Sequence, residues 1–366
     1  MFFVSFGSEI DMKRLKFTAI DIYCGSGAVT EGLKAEGISV IAAVDNDPIA
    51  CETYRLNHPE VHLLESDIRK LNPVEVRSKI IFSRRLDFLI VCAPCQPFSR
   101  QNRQRTADDE RATLVLESLK FVKEFTPEIV FFENVPGIAI SGPLQNLRRN
   151  LAELGYTLSE PQTLNAADCE VPQRRERCIM IAVRNPDSIE AFYASITPRP
   201  VVTVRQIIGA LPPLQSGERD PHDPLHFARN HQPIVLKRLQ CIPHDGGSRH
   251  SLPPELELKC HKGRKNDFPD VYGRMMWDAV APTLTTGCTD VTKGRYAHPR
   301  DNRAITLREA ALLQSFPPNY RFAGNSGQIA RQIGNAVPVN MIRTLAPSLK
   351  YCLSITQNIA RTDANE

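Results

Sequence analysis

The chain has no apolar run of the length a bilayer span needs, and no basic stretch precedes the short apolar patch near its start. Neither a membrane protein nor a secretory leader is expected, and the reading is a cytoplasmic protein. Its 10 cysteines lack paired spacing, which argues against a disulfide framework. The one CxxC, Cys92 with Cys95, has no second CxxC or close histidine pair to complete a tetrahedral site, and Cys260, His261 and His298 form no convincing ligand set, so no metal is expected. Internal repeats and low-complexity tracts are also missing. Neither sign of charge dominates: 45 Lys and Arg against 41 Asp and Glu leave a formal +4, a mild basic excess that permits nucleic-acid binding without requiring it.

What is there is 366 residues, enough for a large domain with a second, smaller lobe. Apolar runs of strand length at 17–23, 38–44, 87–92, 128–133 and 178–183 alternate with stretches of helical period. Leu144, Leu147, Leu151 and Leu154 are one such set; Leu119, Val122 and Phe125 are another. The alternation predicts an α/β fold, a mostly parallel, doubly wound sheet covered on both faces. From 185 to 299, Pro, Gly, His and basic residues are frequent and periodic segments few, which predicts an irregular lobe. Helical sequence returns with a capping-box pattern at Thr306 to Glu309, and again at 337–353, a stretch expected to break or kink near Pro347. The expected division is 1–185, 186–318 and 319–366.

Residues 91–98 read VCAPCQPF, placing Cys95 where an apolar run gives way to a loop. A cysteine there can serve packing, metal ligation, redox chemistry or nucleophilic attack, and the local sequence does not choose. Asp21-Ile-Tyr-Cys-Gly25-Ser-Gly27 follows the first run; glycines at a strand-to-helix turn let backbone approach a ligand, although a plain tight turn uses them equally. Asp45 ends the second run, where a carboxylate can accept from ribose hydroxyls, and Asp67 follows the run at 61–64; each alone also suits a helix cap or a surface charge. Glycines and two acids at neighbouring strand ends, without a phosphate-gripping Lys-Ser/Thr, suit a nucleoside that carries no phosphates. Glu133-Asn134-Val135 brings a carboxylate to the same sheet edge as Cys95, and a half-buried acid is costly unless it is used or paired. Arg175 and Arg177, two apart at a strand start, share a face.

The set PCQ at 94–96, ENV at 133–135, QRRER at 173–177, LREAALLQSFP at 307–317 and QIGNAVP at 332–338, in this order and spacing, resembles the DNA (cytosine-5) methyltransferases of bacterial modification and defence systems. The likeness spans the chain except about 186–270. It implies a Rossmann-like S-adenosylmethionine-dependent methyltransferase fold with a smaller target-recognition domain. It implies methyl transfer to C5 of a cytosine flipped out of a specific duplex sequence, through a covalent bond from Cys95 to C6. By the same resemblance Glu133 relieves charge at N3, which requires a raised pKa. Arg177 holds the cytosine O2 and orients Glu133, and Arg175 contacts backbone or phosphate.

The methyl donor, S-adenosyl-L-methionine, is then expected on Tyr23, Gly25, Ser26 and Gly27, with Asp45 and Asn46 at the ribose and Asp67 and Ile68 at the adenine. Pro94 and Leu114 would flank it, and Asn335 and Ala336 would meet the methionine end. Tyr23 stands where the family commonly has Phe and Asp45 where Glu is commoner; both keep the needed chemistry. The resemblance assigns Gln96, Ser99, Arg100 and Arg111 to a loop closing over DNA, and Arg249, Arg274 and Thr283 to target recognition. It implies double-stranded DNA as partner, cognate restriction or defence proteins, and a monomer. A tRNA cytosine-5 methyltransferase and a non-catalytic DNA-binding protein on the same fold are the alternatives. A recognition lobe of more than about a hundred residues favours DNA, and intact Cys95, Glu133 and Arg177 argue against the non-catalytic reading.

Overall fold

The computed structural model describes residues 17–80, 85–94, 110–261 and 268–362. Its centre, among these residues, is a sheet of eight strands: β1 (Phe17–Ile22), β2 (Ile38–Asp45), β3 (His62–Glu65), β4 (Phe88–Val91), β5 (Ile129–Asn134), β6 (Thr157–Leu158), β7 (Gln162–Asn165) and β8 (Glu176–Val183). The order is β3-β2-β1-β4-β5-β8-β6, with β7 also on β8. Every pairing from β3 through β5 is parallel, whereas β8 runs antiparallel to β5, β6 and β7. The expected strands all form; the run at 178–183 enters the sheet reversed. Strand order changes direction at β1 and β4, and the crevice outside their carboxyl ends is where such sheets take ligands.

Side chains alternate along each strand, so each face carries its own core. Ala19, Ile90, Phe131 and Ile181 point to one side, while Ile20, Ile22, Leu89, Val91 and Phe132 point to the other. Helix α1 (Ala28–Ala35) follows β1 and α2 (Pro48–Asn57) follows β2; α2 starts with Pro48 under the Asp47 carboxylate, which accepts from the Ile49 and Ala50 amides. Then come α3 (Pro73–Lys79), α4 (Ser118–Phe125) and α5 (Gly142–Glu153), the last two burying Phe121, Val122, Leu144, Leu147 and Leu151. α6 (Asp187–Ala194) closes this part.

Among the described residues the second lobe holds two short α-helices, α7 (Val204–Ile208) and α8 (Pro233–Cys241), and otherwise turns, 3-10 segments and isolated bridges, as its composition foretells. Its rigidity comes from buried polar groups as much as from apolar ones. Arg303 meets both Glu309 oxygens at 2.8 Å and Asp301 at 2.9 Å. Glu309 does double duty: α9 (Leu307–Leu313) opens with the expected capping box, in which Thr306 N–H donates to Glu309 Oε2 at 2.7 Å and Glu309 N–H to Thr306 Oγ1 at 3.1 Å.

α10 (Ser326–Asn335) and α11 (Val339–Thr362) follow. The expected break at Pro347 does not occur, and α11 runs through it. The buried Leu345, Leu349, Cys352 and Leu353 join the core on one face of the sheet, and that packing outweighs one missing backbone bond. Among the described residues no helix is long and apolar enough to cross a membrane.

Candidate active site

The turn after β1 is a sequence of left-handed residues: Tyr23 at φ 65°, Gly25 at 51° and Gly27 at 92°. Tyr23 N–H still donates to Val44 O at 2.8 Å, and its hydroxyl donates to Leu114 O at 2.5 Å, so the ring is fixed between β1 and the segment after β4. A Cβ built on Gly25 would meet nothing, because that side of the turn is open to a pocket of about 250 Å³. Gly27 differs. Its Cβ would collide with the His58 ring and the Tyr320 hydroxyl, so it serves close packing and does not line the pocket. Every other residue expected at the cofactor does: Tyr23, Gly25, Ser26, Asp45, Asn46, Asp67, Ile68, Pro94, Leu114, Asn335 and Ala336.

Asp45 accepts from Gly25 N–H at 2.8 Å and from Asp47 N–H at 2.9 Å. Burial raises its carboxyl pKa despite these donors. Asp67 caps the turn at Ile68–Lys70 and is gripped by Arg69, whose hydrogen bonds are the main cause holding its pKa down at about 2. The far wall is α10, with Arg331, Gln332 and Asn335. Gln332 is buried; its Nε2 donates to Ala323 O at 3.0 Å, which leaves Oε1 without a hydrogen-bond partner among the described residues. A buried acceptor left unpaired beside a cavity suits a bound molecule that carries donors. Acids, an aromatic wall and a glycine turn at one edge of a parallel sheet fit the ribose, the adenine and the cationic end of S-adenosylmethionine.

The inner end of this pocket carries Glu133 and Arg177. They pair across β5 and β8, Arg177 Nε lying 2.8 Å from Glu133 Oε1, with both side chains almost wholly buried. Burial pushes the Glu133 carboxyl up, and the charges of Arg177 and then Arg175 offset this only in part. Next to Glu133, Asn134 Nδ2 donates to Ala93 O at 3.1 Å, tying the ENV segment to the chain two residues before Cys95. Cys92 lines the same pocket; burial first, and the Glu133 charge second, push its thiol pKa well up, so it behaves as packing. Cys95, Gln96, Ser99 and Arg100 lie outside the described residues, as does the side chain of Arg111.

Arg175, expected at backbone or phosphate, is taken up by this chain's own carbonyls. It is buried, and its guanidinium donates to Leu284 O at 2.9 Å and to Gly334 O and Ala336 O at 3.0 Å each, which draws the second lobe and the end of α10 onto the sheet edge. Gln173 does similar work, receiving Leu284 N–H at 2.9 Å and donating to Gln314 Oε1 at 2.9 Å. Gly334 is required there, since a Cβ would overlap the Thr285 backbone. Arg274, assigned to target recognition, is fully buried; it donates to Leu239 O, His298 O and Asp301 O and to Asn302 Oδ1, holding the lobe's interior together. Arg249 is also turned inward, its Nε donating to Phe268 O at 3.3 Å. The resemblance suggested base or phosphate contacts for these arginines, but here their guanidinium groups donate to carbonyls of the chain itself. Thr283 remains at the surface, its hydroxyl donating to Arg174 O at 2.7 Å.

Sequence reasoning passed over Asn134, Gln173, Arg331 and Gln332 as individuals, although all four lie within or beside the quoted motifs. It also gave no role to Asp21, which is fully buried beneath the pocket and held by Thr30 Oγ1 at 2.9 Å.

A Rossmann-like sheet with a pocket at its switch point, ending in a buried Glu and Arg, fits a methyltransferase that uses S-adenosylmethionine. The particular family is shown by comparison: the profile of the C-5 cytosine-specific DNA methylases matches residues 17–351. The chain belongs to that family, and is a DNA cytosine-5 methyltransferase that takes its methyl group from S-adenosylmethionine. It is 37% identical over 344 residues to the Type II methylase M.HgiDII of Herpetosiphon aurantiacus, covering 91% of this chain and 95% of that one. It is 31% identical to the Type II methyltransferase M.Eco47II of Escherichia coli, covering 92% and 79%. In structure it resembles a DNA modification methyltransferase encoded within an E. coli prophage, with TM-score 0.71 at 22% identity over 93% of this chain and all of that one. It also resembles S. pombe Dnmt2, with TM-score 0.59 at 19% identity, covering 91% and 98%.

Proposed function

We propose that the chain modifies one short duplex sequence by flipping its cytosine into the inner end of the pocket and attacking C6 with the Cys95 thiolate. The observation that carries this reading is the buried Glu133–Arg177 pair at 2.8 Å, placed where a base beside the cofactor would lie. Sulfur addition at C6 breaks the C5–C6 double bond and loads C5 with electron density. Glu133, whose pKa burial raises, donates a proton at N3 in this reading, and Arg177 holds O2. When bound, S-adenosylmethionine would supply an electrophilic methyl on its sulfonium, which the C5 electrons would take with a thioether as the leaving group. Loss of the C5 proton to a base and expulsion of the sulfur then restore the ring.

In this reading the segment 186–318 is the recognition domain. Its groove of about 670 Å³, lined by Arg174, Thr283 and Lys293, accepts the duplex beside the target. Arg174 and Lys293 are both exposed there and can meet phosphates. The Type II names of the relatives support a role in protecting DNA from a cognate endonuclease.

The test is adduct formation with a duplex carrying 5-fluorocytosine at the target, found by bisulfite sequencing of DNA from expressing cells. Wild type should form an adduct stable to denaturation, and Cys95→Ala none while still binding S-adenosylhomocysteine. Methyl transfer to tRNA alone would overturn the DNA reading, and an adduct with Cys95→Ala would overturn the nucleophile.

A further inference from the structure

We propose that Asp270 sets one position of the recognition sequence: its open carboxylate oxygen accepts a hydrogen bond from the exocyclic amino group of a cytosine near the target, in the major groove of the duplex. The proposal rests on the second lobe being the duplex-binding face, and it names the base chemistry that one residue of that face selects.

A groove that takes a polyanion calls for donors and positive charge, and an acid within it repels phosphate unless a donor on a base compensates. Among the described residues Asp270 is the one acid lining the groove of the second lobe, which it shares with the exposed Arg174 and Lys293. Arg295 fixes it. The guanidinium donates from Nε to Asp270 Oδ1 at 2.9 Å, and from its first terminal nitrogen to Gly246 O and Arg274 O at 3.1 Å each and to Gly247 O at 3.3 Å. A Cβ on Gly273 would fall 2.9 Å from Arg295 Cζ, so the arginine lies where only a glycine leaves room for it. Asp270 Oδ2, in contrast, receives no hydrogen bond among the described residues, and the side chain is 59% exposed. An ion pair this exposed adds little stability, so its value lies in aiming the carboxylate.

The backbone supplies the independent observation. Phe268 at φ 50° and Tyr272 at φ 59° bracket Asp270, a left-handed conformation that costs a bulky side chain energy and that collects where ligands are gripped. Gly273 N–H donates to Asp270 O at 2.9 Å and Tyr272 N–H to Val291 O at 2.7 Å, so the turn that presents Asp270 is tied down at its far end. The base follows from the edges a duplex shows. In the major groove cytosine offers its N4 amino donor, guanine two acceptors and thymine one, while adenine sets the N7 acceptor beside its N6 amino group. A carboxylate is therefore best matched by cytosine.

The test starts from the sequence context that bisulfite sequencing returns for DNA from expressing cells, which should hold at least one invariant C·G pair besides the cytosine being methylated. Duplexes are then made with each such cytosine replaced in turn by pyrimidin-2-one, the same ring without its amino group. At one position wild type should lose roughly five- to a hundredfold in kcat/KM. Asp270→Ala should lose less than about twofold on that replacement and should accept thymine there, with discrimination elsewhere and the melting temperature as in wild type. Asp270→Asn, whose amide can donate to thymine O4, should shift the preference at that position toward thymine. A context with no further C·G pair, discrimination kept by Asp270→Ala at every position, or a uniform loss on all duplexes overturns the proposal and leaves the duplex reading standing. Failure of wild type to methylate any duplex removes both.

Discussion

The Tyr320 hydroxyl donates to the carbonyl of Ser26 at 2.5 Å, across 294 residues of sequence. The same hydroxyl lies 3.1 Å from His58 Nε2, whose ring also contacts Gly27 O at 3.1 Å. A tyrosine from the C-terminal part thus supports, from below, the glycine turn that borders the pocket proposed for the methyl donor. Tyr320→Phe should cost about 1–2 kcal/mol of stability, because the buried Ser26 carbonyl loses this donor and His58 Nε2 keeps only Gly27 O. It should also weaken S-adenosylhomocysteine binding several-fold by loosening the turn. Urea melts with and without the ligand check both effects; an unchanged dissociation constant would refute the support role.

The role proposed for Glu133 is to donate a proton, and burial raises its pKa in the direction that role needs. Glu133→Gln should lower the single-turnover methylation rate by about 10²- to 10⁴-fold while S-adenosylhomocysteine still binds. In wild type the Glu133 contribution should be lost as pH rises through the raised value, and this limb should vanish from the pH profile of the variant. Rapid-quench measurements across the pH range distinguish this from a folding defect.

Asp21 sits under the pocket with its pKa raised to about 7, chiefly by burial and partly offset by Thr30. The folded state holds this proton more tightly than the unfolded chain, so the ionisation cost begins near the unfolded value of 3.8, grows as pH rises and levels off above about 7. The span corresponds to about 4 kcal/mol at most. Asp21→Asn cannot ionise, so its stability relative to wild type should climb from pH 4 to pH 8. Denaturant melts at a series of pH values report it; a pH-independent difference would show that Asp21 is not the titrating group.

Arg274 and Lys293 both belong to the second lobe, yet they should respond in opposite ways. Arg274→Ala strands the carbonyls of Leu239, His298 and Asp301, and should destabilise by roughly 3–5 kcal/mol without changing sequence preference. Lys293→Ala removes an exposed side chain from the groove, and should leave the melting temperature alone. It should weaken duplex binding and reduce the salt slope by about one. Thermal melts paired with DNA titrations at several salt concentrations separate the two.

Much of this protein was readable before any coordinates, because hydrophobic period and turn chemistry are local. The strands at 17–22, 88–91 and 129–134 are apolar runs that only a buried sheet can use. Thr306 and Glu309 announce a helix start from three residues apart. The glycine turn, Asp45 and Asp67 stand at strand ends, and strand ends in a parallel sheet share an edge, so a pocket lined by them follows from topology. The raised Glu133 and its Arg177 partner are likewise legible once ENV and QRRER are known to end and begin paired strands.

What no local rule could decide was which arginines are tools and which are fittings. Arg174 and Arg175 are neighbours of identical chemistry, but Arg174 lies exposed beside the groove while Arg175 is capped by carbonyls from Leu284, Gly334 and Ala336. Arg274 looks like a base reader by charge and is the inner brace of its lobe. The direction of β8, the passage of α11 through Pro347 and the reach of Tyr320 to Ser26 are of the same kind. A guanidinium, a proline or a phenol takes its role from partners distant in the chain, and only packing in three dimensions brings those partners within a few ångströms.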